Sequence, residues 1–141
     1  MGAAPAEAVR IVLLNDNRLF ATALHARVEQ DPRFEIVGLA SDGPGAARLV
    51  DEVRPDLVLI DAGLPGDDPL VATRLIMRGA ATPRVVIMAD PEDELDAVEA
   101  HDAGACVFLQ KPRSTADLLE TLELAGILAQ VQVSHSGSDG Q

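Results

Sequence analysis

The chain has 141 residues, of which 48% are hydrophobic, so it is long enough and apolar enough for one domain with a hydrophobic core. Its formal net charge is -12 and its aromatic content is 2%, which argues against direct nucleic-acid binding, because phosphate attraction and base stacking are both missing. No apolar run approaches the length of a membrane span, and a single cysteine excludes an internal disulfide framework, so a cytoplasmic protein is expected.

Short apolar runs alternate with amphipathic stretches along the chain. The apolar runs predict five strands, at residues 9–14, 34–40, 57–60, 84–88 and 106–109. Apolar residues at helical spacing predict five helices, at residues 18–30, 45–53, 67–79, 91–103 and 114–129. This alternation predicts an α/β fold, with helices packed on a parallel sheet through right-handed crossovers. Residues 1–8 and 130–141 have the composition of loose termini or of a linker.

Three details of this pattern predict local structure. The third helix should turn Val71, Leu75 and Ile76 toward the core. The fourth should begin at Pro91, because proline and acidic residues favour a first helical turn. Cys106, in an apolar run, is expected to be a small core residue rather than a nucleophile.

Asp61 comes directly after the apolar run at residues 57–60, before Gly63 and Pro65 turn the chain. A run so short and rich in branched residues is typical of a strand buried on both faces. In an open parallel sheet, ligands bind at the carboxyl ends of the strands. From this strand alone two interpretations of Asp61 stay open, a turn cap and a functional carboxylate.

The residues that end the predicted strands should meet at one edge of the sheet, and most of them are charged or polar. They are Asn15 and Asp16 after the first strand, Asp61 after the third, Ala89 and Asp90 after the fourth, and Lys111 after the fifth. Carboxylate oxygens suit Mg²⁺, and a carboxylate can attack phosphorus to form an aspartyl phosphate. A metal ion and a lysine would neutralise the charge of the transferring group.

Four motifs, in this order and spacing, resemble the receiver domain of bacterial two-component response regulators over residues 9–129. They are Leu14-Asn15-Asp16, Asp61 with Leu64-Pro65-Gly66, Phe108, and Lys111-Pro112. The runs that begin at Arg10 and Glu35 are most similar to the branch with a LuxR-type helix-turn-helix output domain. The resemblance implies a three-layer, doubly wound, flavodoxin-like sheet of five parallel strands in the order 2-1-3-4-5, with five helices.

The resemblance also implies roles for individual residues. Asp61 would be the phosphoacceptor and Lys111 would bind the phosphoryl group. Asp16, Asp61 and the backbone carbonyl of Gly63 would bind Mg²⁺. The implied partners are a histidine kinase and a second copy of the chain, as a homodimer.

Three positions depart from the family pattern. Asn15 replaces an acid, so it would contribute to the metal site only indirectly and would weaken Mg²⁺ binding. Ala89 replaces the switch Ser or Thr and has no hydroxyl to bond a phosphoryl oxygen, and the neighbouring Asp90 adds a charge that would repel phosphate. Phe108 occupies the position of the switch aromatic, and both a switch role and a plain core role stay open.

These residues favour a receiver that accepts a phosphoryl group on Asp61 in a phosphorelay and regulates an output such as transcription. The alternative is a degenerate receiver that acts as a phosphorylation-independent interaction or dimerisation module. No enzymatic activity is expected beyond self-phosphorylation and autodephosphorylation. A phosphohydrolase with a nucleophilic aspartate would need a second Asp where Gly63 stands, and a flavin binder would need a Ser/Thr/Gly loop after the first strand.

Overall fold

A computed structural model describes residues 8–15, 18–63, 68–90, 93, 95–110, 117 and 120. Strands and helices alternate along these residues as β1 (Val9–Leu14), α1 (Arg18–Glu29), β2 (Phe34–Ala40), α2 (Gly43–Val53), β3 (Leu57–Asp61), α3 (Pro69–Met77), β4 (Arg84–Ala89), α4 (Ala97–Ala103) and β5 (Val107–Gln110). The strands form one parallel sheet in the order β2-β1-β3-β4-β5, which confirms the predicted fold class. The predicted fifth helix lies outside the described residues except for Asp117 and Glu120, which are helical.

The side chains of β1 alternate between the two faces of the sheet. Ile11 and Leu13 pack in one core cluster with Leu24 and Val28 of α1. On the other face, a second cluster joins further sheet residues to the three helices α2, α3 and α4, and it includes Val12, Leu14, Val50, Ile76 and Ala100. Helices therefore cover the central strands on both sides, which explains why these strands are continuous apolar runs.

Two small residues allow close packing around α2. The pairing of β1 with β2 shifts by one residue between Ile11 and Val12, a β-bulge that places Gly38 beside Val12. A Cβ at Gly38 would lie 2.5 Å from Cδ2 of Leu49, so the absence of a side chain lets α2 approach the sheet. A Cβ at Gly43 would lie 3.3 Å from Cβ of Ala72, which brings α2 close to α3.

The predicted inward face of α3 is wrong at Val71, whose exposed fraction is 48%. Ala72, Thr73 and Ile76 are buried instead. The small Ala72 faces α2, and the buried hydroxyl of Thr73 donates to the carbonyl of Pro69 at 2.7 Å. Helical spacing correctly predicted that Ile76 is buried. It could not show that Thr73 can also be buried, because its hydroxyl donates to a backbone carbonyl one turn earlier in the same helix.

The predicted start of α4 at Pro91 is also wrong, since the helix begins at Ala97. Asp96 is the N-cap and accepts from the backbone N–H of Glu99 at 2.8 Å, while the Glu99 side chain accepts from the N–H of Asp96 at 3.5 Å. The helix ends as predicted at Gly104, whose φ of 118° lies in the left-handed region.

Cys106 is exposed rather than part of the core. It precedes β5, and its backbone N–H donates to Val85 O at 2.9 Å. Partial desolvation nevertheless raises the pKa of its thiol. Within the part of the chain that the structure describes, no helix combines the length and the apolar character that a membrane crossing needs.

Candidate functional site

The carboxyl edge of the sheet brings together the ends of β1, β3 and β4. Asp61 is the last residue of β3 and Ala89 the last residue of β4, and Asn15 directly follows β1. Leu14 pairs with Ile60, so Asn15 and Asp61 lie next to each other on neighbouring strands. This is the meeting of strand ends that the sequence predicted.

Both carboxylate oxygens of Asp61 accept hydrogen bonds. Oδ2 accepts from Nδ2 of Asn15 at 3.3 Å, and Oδ1 accepts from the backbone N–H of Gly63 at 2.9 Å. The bond to Gly63 is the turn-capping contact expected of an aspartate two residues before a glycine. Asp61 is half-buried, so it caps its turn and still presents a carboxylate at the sheet edge. The two interpretations of Asp61 left open by the sequence are therefore compatible.

Asn15 is more deeply buried than Asp61. It is a buried polar residue with an exposed fraction of 6%, and its backbone N–H donates to the carbonyl of Ala40 at 3.1 Å. That bond continues the pairing of β1 with β2 by one residue. The position of the Asn15 amide beside Asp61 is thus set by the sheet rather than by a loop.

Ala89 lies at the end of β4 beside Gln110 of β5, and its exposed fraction is 2%. The chain then turns at Asp90, whose N–H donates to Oδ2 of Asp93 at 2.7 Å, while the N–H of Asp93 donates to the Asp90 carbonyl at 2.9 Å. The sequence predicts these acidic residues as the first turn of a helix and does not identify Asp93 as the residue that closes this turn. The usual turn signal is an aspartate that bonds to backbone later in the chain, whereas Asp93 accepts from a backbone N–H three residues earlier.

Phe108 lies on β5, where it pairs with Ile87 of β4. It is half-buried and packs against the core cluster on the face that carries α2, α3 and α4. This contact fits the core role that the sequence left open, and the switch role of Phe108 stays a prediction.

Several predicted site residues lie outside the described residues, namely Asp16, the Leu64-Pro65-Gly66 motif, and Lys111 with Pro112. Among the residues that are described, no three His, Cys, Asp or Glu side chains cluster closely enough to hold a metal ion. The groups present at the edge, the Asp61 carboxylate, the Asn15 amide and the Gly63 backbone, offer oxygen atoms, and these are the ligands that Mg²⁺ prefers. One carboxylate fits a weak Mg²⁺ site, which Asp16 would strengthen.

Comparison with known proteins identifies the family. Residues 11–123 match the family model of the response regulator receiver domain. The chain is 30% identical over 117 residues to the transcriptional regulatory protein LiaR of Bacillus subtilis, covering 83% of this chain and 56% of that protein. A crystal structure of a LuxR-family two-component response regulator from Aurantimonas sp. superimposes with a TM-score of 0.72 at 28% identity, covering 85% of this chain and 86% of that one.

A third relative overturns one expectation. The chain is 36% identical over 112 residues to protein-glutamate methylesterase/protein-glutamine glutaminase 2 of Anaeromyxobacter dehalogenans, covering 79% of this chain and 33% of that protein. The prediction of no enzymatic activity is therefore contradicted at the level of the family, because sequences of this kind occur in proteins named as enzymes as well as in regulators. The chain spans about half the length of LiaR and a third of the length of the methylesterase. The family match over residues 11–123 includes Asn15 and Asp61, and together with these relatives it shows that the chain belongs to the receiver-domain family of two-component response regulators.

Proposed function

We propose that this receiver accepts a phosphoryl group on Asp61 from a histidine kinase and thereby regulates an output. The observation that carries the proposal is the position of Asp61, a half-buried carboxylate at the carboxyl end of a central strand, with its two oxygens oriented by Asn15 and Gly63. A fixed carboxylate at a sheet edge open to a partner is suited to nucleophilic attack.

In the transfer, an oxygen of Asp61 forms a bond to phosphorus while the bond from phosphorus to the kinase histidine nitrogen breaks. The leaving nitrogen takes a proton, and Asp61 becomes a mixed anhydride. The N–H of Gly63, already bonded to Oδ1, can stay on the oxygen that becomes the carbonyl of this anhydride. The Asn15 amide lies on the other oxygen, where the phosphoryl group would be attached.

A bound Mg²⁺ would supply charge neutralisation for the transferring phosphoryl group. Asp61, Asp16 and the Gly63 carbonyl would hold it, and Asn15, which stands where the family has an acid, would make this binding weak. Lys111 would bind the phosphoryl group from the end of β5. The roles of Asp16 and Lys111 rest on their positions in the sequence, since Asp16 is the second residue after β1 and Lys111 is the first residue after β5.

The proposed output is transcription, because LiaR is named a transcriptional regulator and this chain aligns with only 56% of it. The proposed location is the cytoplasm. A single cysteine cannot form an internal disulfide, so the chain lacks the disulfides that are typical of proteins from oxidising compartments. A second candidate, a receiver that works as a phosphorylation-independent interaction module, is favoured by the buried methyl group of Ala89 at the switch position.

The test compares two aspartates at opposite ends of the same strand. Protein incubated with Mg²⁺ and a small phosphodonor should gain the mass of one phosphoryl group, and Asp61→Asn should abolish this gain because an amide oxygen is a poor nucleophile. Asp56→Asn is the control, because Asp56 precedes β3 and accepts from the Arg10 N–H at 2.9 Å, a bond that an asparagine oxygen can keep. Unmodified wild-type protein, or a modified Asp61→Asn variant, would contradict the proposal.

A further inference from the structure

We propose that the side-chain amide of Asn15 and a divalent cation are alternative partners of the Asp61 carboxylate. Asn15 is then a positioning residue that holds Asp61 in the metal-free protein and competes with Mg²⁺ for it. The inference rests on the proposed function only in assigning the metal site to Asp61. It differs from the simpler expectation that an amide is a weaker metal ligand than an acid.

The direction of the hydrogen bond carries the argument. An ionised carboxylate can only accept hydrogen bonds, so the amide group next to Oδ2 of Asp61 has to be the NH₂ group. The structure has this arrangement, with Nδ2 of Asn15 at 3.3 Å. The NH₂ group of Asn15 therefore places a partial positive charge beside the Asp61 carboxylate, on the side of β1.

A bound cation would need the oxygen of the Asn15 amide rather than its NH₂ group. A metal ion, or a water molecule that donates from a metal ion, needs an oxygen from Asn15. The amide would have to turn over to present Oδ1, and its bond to Asp61 would break. Asn15 is buried, and its amide can turn either Nδ2 or Oδ1 toward Asp61 but not both, so the bond to Asp61 and a contact of Oδ1 with the cation exclude each other.

An aspartate at this position would act in the opposite sense. Two carboxylates side by side repel each other without a metal ion, and that repulsion is relieved when the metal binds. Asparagine removes this repulsion and adds a hydrogen bond to Asp61, which metal binding must break. A ligand shifts an equilibrium only through its differential interaction with the two states, so stabilising the metal-free state lowers the metal affinity.

The alanine variant distinguishes the two explanations of weak binding. Asn15→Ala removes the competing donor without adding charge. Because the bond to Asp61 is long, at 3.3 Å, its loss should raise the Mg²⁺ affinity roughly two- to tenfold, at the lower end for hydrogen bonds. If Asn15 helps the metal through its oxygen, the same variant should bind Mg²⁺ more weakly. Thr73→Val is the matched control. It removes the hydrogen bond from Thr73 Oγ1 to Pro69 O within α3, which does not involve Asp61, so the Mg²⁺ affinity should stay unchanged.

The affinity would be measured by titrating Mg²⁺ alone into ¹⁵N-labelled protein and following the amide signal of Gly63. Intrinsic fluorescence cannot serve, since the chain has no Trp or Tyr. Tighter binding by Asn15→Ala supports the proposal. Equal or weaker binding overturns it, and so does the absence of binding in both wild type and variant.

A measurement on the wild type keeps the proposal testable if Asn15→Ala does not fold. The side-chain NH₂ signals of Asn15 should move toward the positions of an unbonded amide as Mg²⁺ saturates the site. Signals that keep their metal-free positions at saturation would overturn the proposal. Neither titration uses a phosphodonor, so a failure here is separate from a failure of Asp61 to become phosphorylated.

Discussion

Ala89 is a buried small residue at the carboxyl edge of the sheet. It is buried, with an exposed fraction of 2%, and it ends β4 between β3 and β5. Its neighbour in β5 is Gln110. A larger, hydroxyl-bearing side chain would have to fit against the buried face of the sheet, so restoring the Ser or Thr of the family pattern has a cost in packing.

We expect Ala89→Thr to lower the free energy of unfolding by about 1–2 kcal/mol, because two heavy atoms enter a closely packed position. Ala89→Ser adds one heavy atom and should cost less. Urea unfolding followed by circular dichroism measures both changes. Ala80→Thr is the control at an exposed position and should stay within about 0.5 kcal/mol of the wild type. A larger loss in the control than in Ala89→Thr would contradict this packing argument.

The proximity of Asn15 and Asp61 could be predicted from the sequence, because the carboxyl ends of parallel strands share one edge of the sheet. The direction of the Asn15 amide could not. The residue was predicted as a weakened metal contributor, whereas its nitrogen faces Asp61 in the structure. An asparagine carries a donor and an acceptor on the same short side chain, and only the neighbouring group determines which one is used.

The beginning of α4 shows how two sequence signals compete within one element. Proline and a run of acids favour a helix start at Pro91, while Asp96 with Glu99 three residues later is the pattern of a capping box. The structure has the capping box, and Asp93 instead closes the turn that follows β4. A capping box satisfies two backbone N–H donors at the helix end through hydrogen bonds. Proline in the first turn only lacks one such donor and gives the others no partner.

We expect Asp96→Ala to lower the free energy of unfolding by about 1 kcal/mol, since the N–H of Glu99 loses its acceptor. Asp102→Ala is the matched control on the same helix. Asp102 is exposed in the last turn, where a negative charge opposes the helix dipole, so its removal should be neutral or slightly stabilising.

Chemical denaturation gives both values, and amide hydrogen exchange at Glu99 locates the effect. Faster exchange at Glu99 should occur in Asp96→Ala and not in Asp102→Ala. Equal losses of stability in the two variants would show that the acidic charge of α4, rather than the cap, determines the result.

The pattern of residues was enough to predict the fold class of the whole molecule, whereas the strand order needed the resemblance to a known family. Alternation of apolar runs with amphipathic stretches was sufficient for a parallel α/β sheet, since both faces of the central strands are covered. The strand order 2-1-3-4-5 came from the family resemblance, because alternation alone is compatible with several orders. The β-bulge between β1 and β2 had no sequence signal beyond Gly38, whose role depends on Leu49, a residue distant along the chain.

The last prediction concerns the response of the whole molecule to phosphorylation. In the family pattern, a hydroxyl at the end of β4 is drawn to the phosphoryl group, and Ala89 offers none. A charge-assisted hydrogen bond is worth about 1.5–3 kcal/mol, so its absence weakens a population shift roughly ten- to a hundredfold. We therefore expect a beryllofluoride mimic at Asp61 to leave the oligomeric state of the wild type nearly unchanged.

Ala89→Thr should restore part of the response, although the neighbouring charge of Asp90 limits it. The packing cost of the threonine is small against a typical stability of about 5–15 kcal/mol, so the variant should remain folded. Light scattering coupled to size exclusion, with and without the mimic, measures both proteins, and Asp61→Asn is the control for a mimic bound elsewhere. A strong change in the wild type would show that this receiver transmits phosphorylation without the hydroxyl, through contacts such as those of Phe108 with the core.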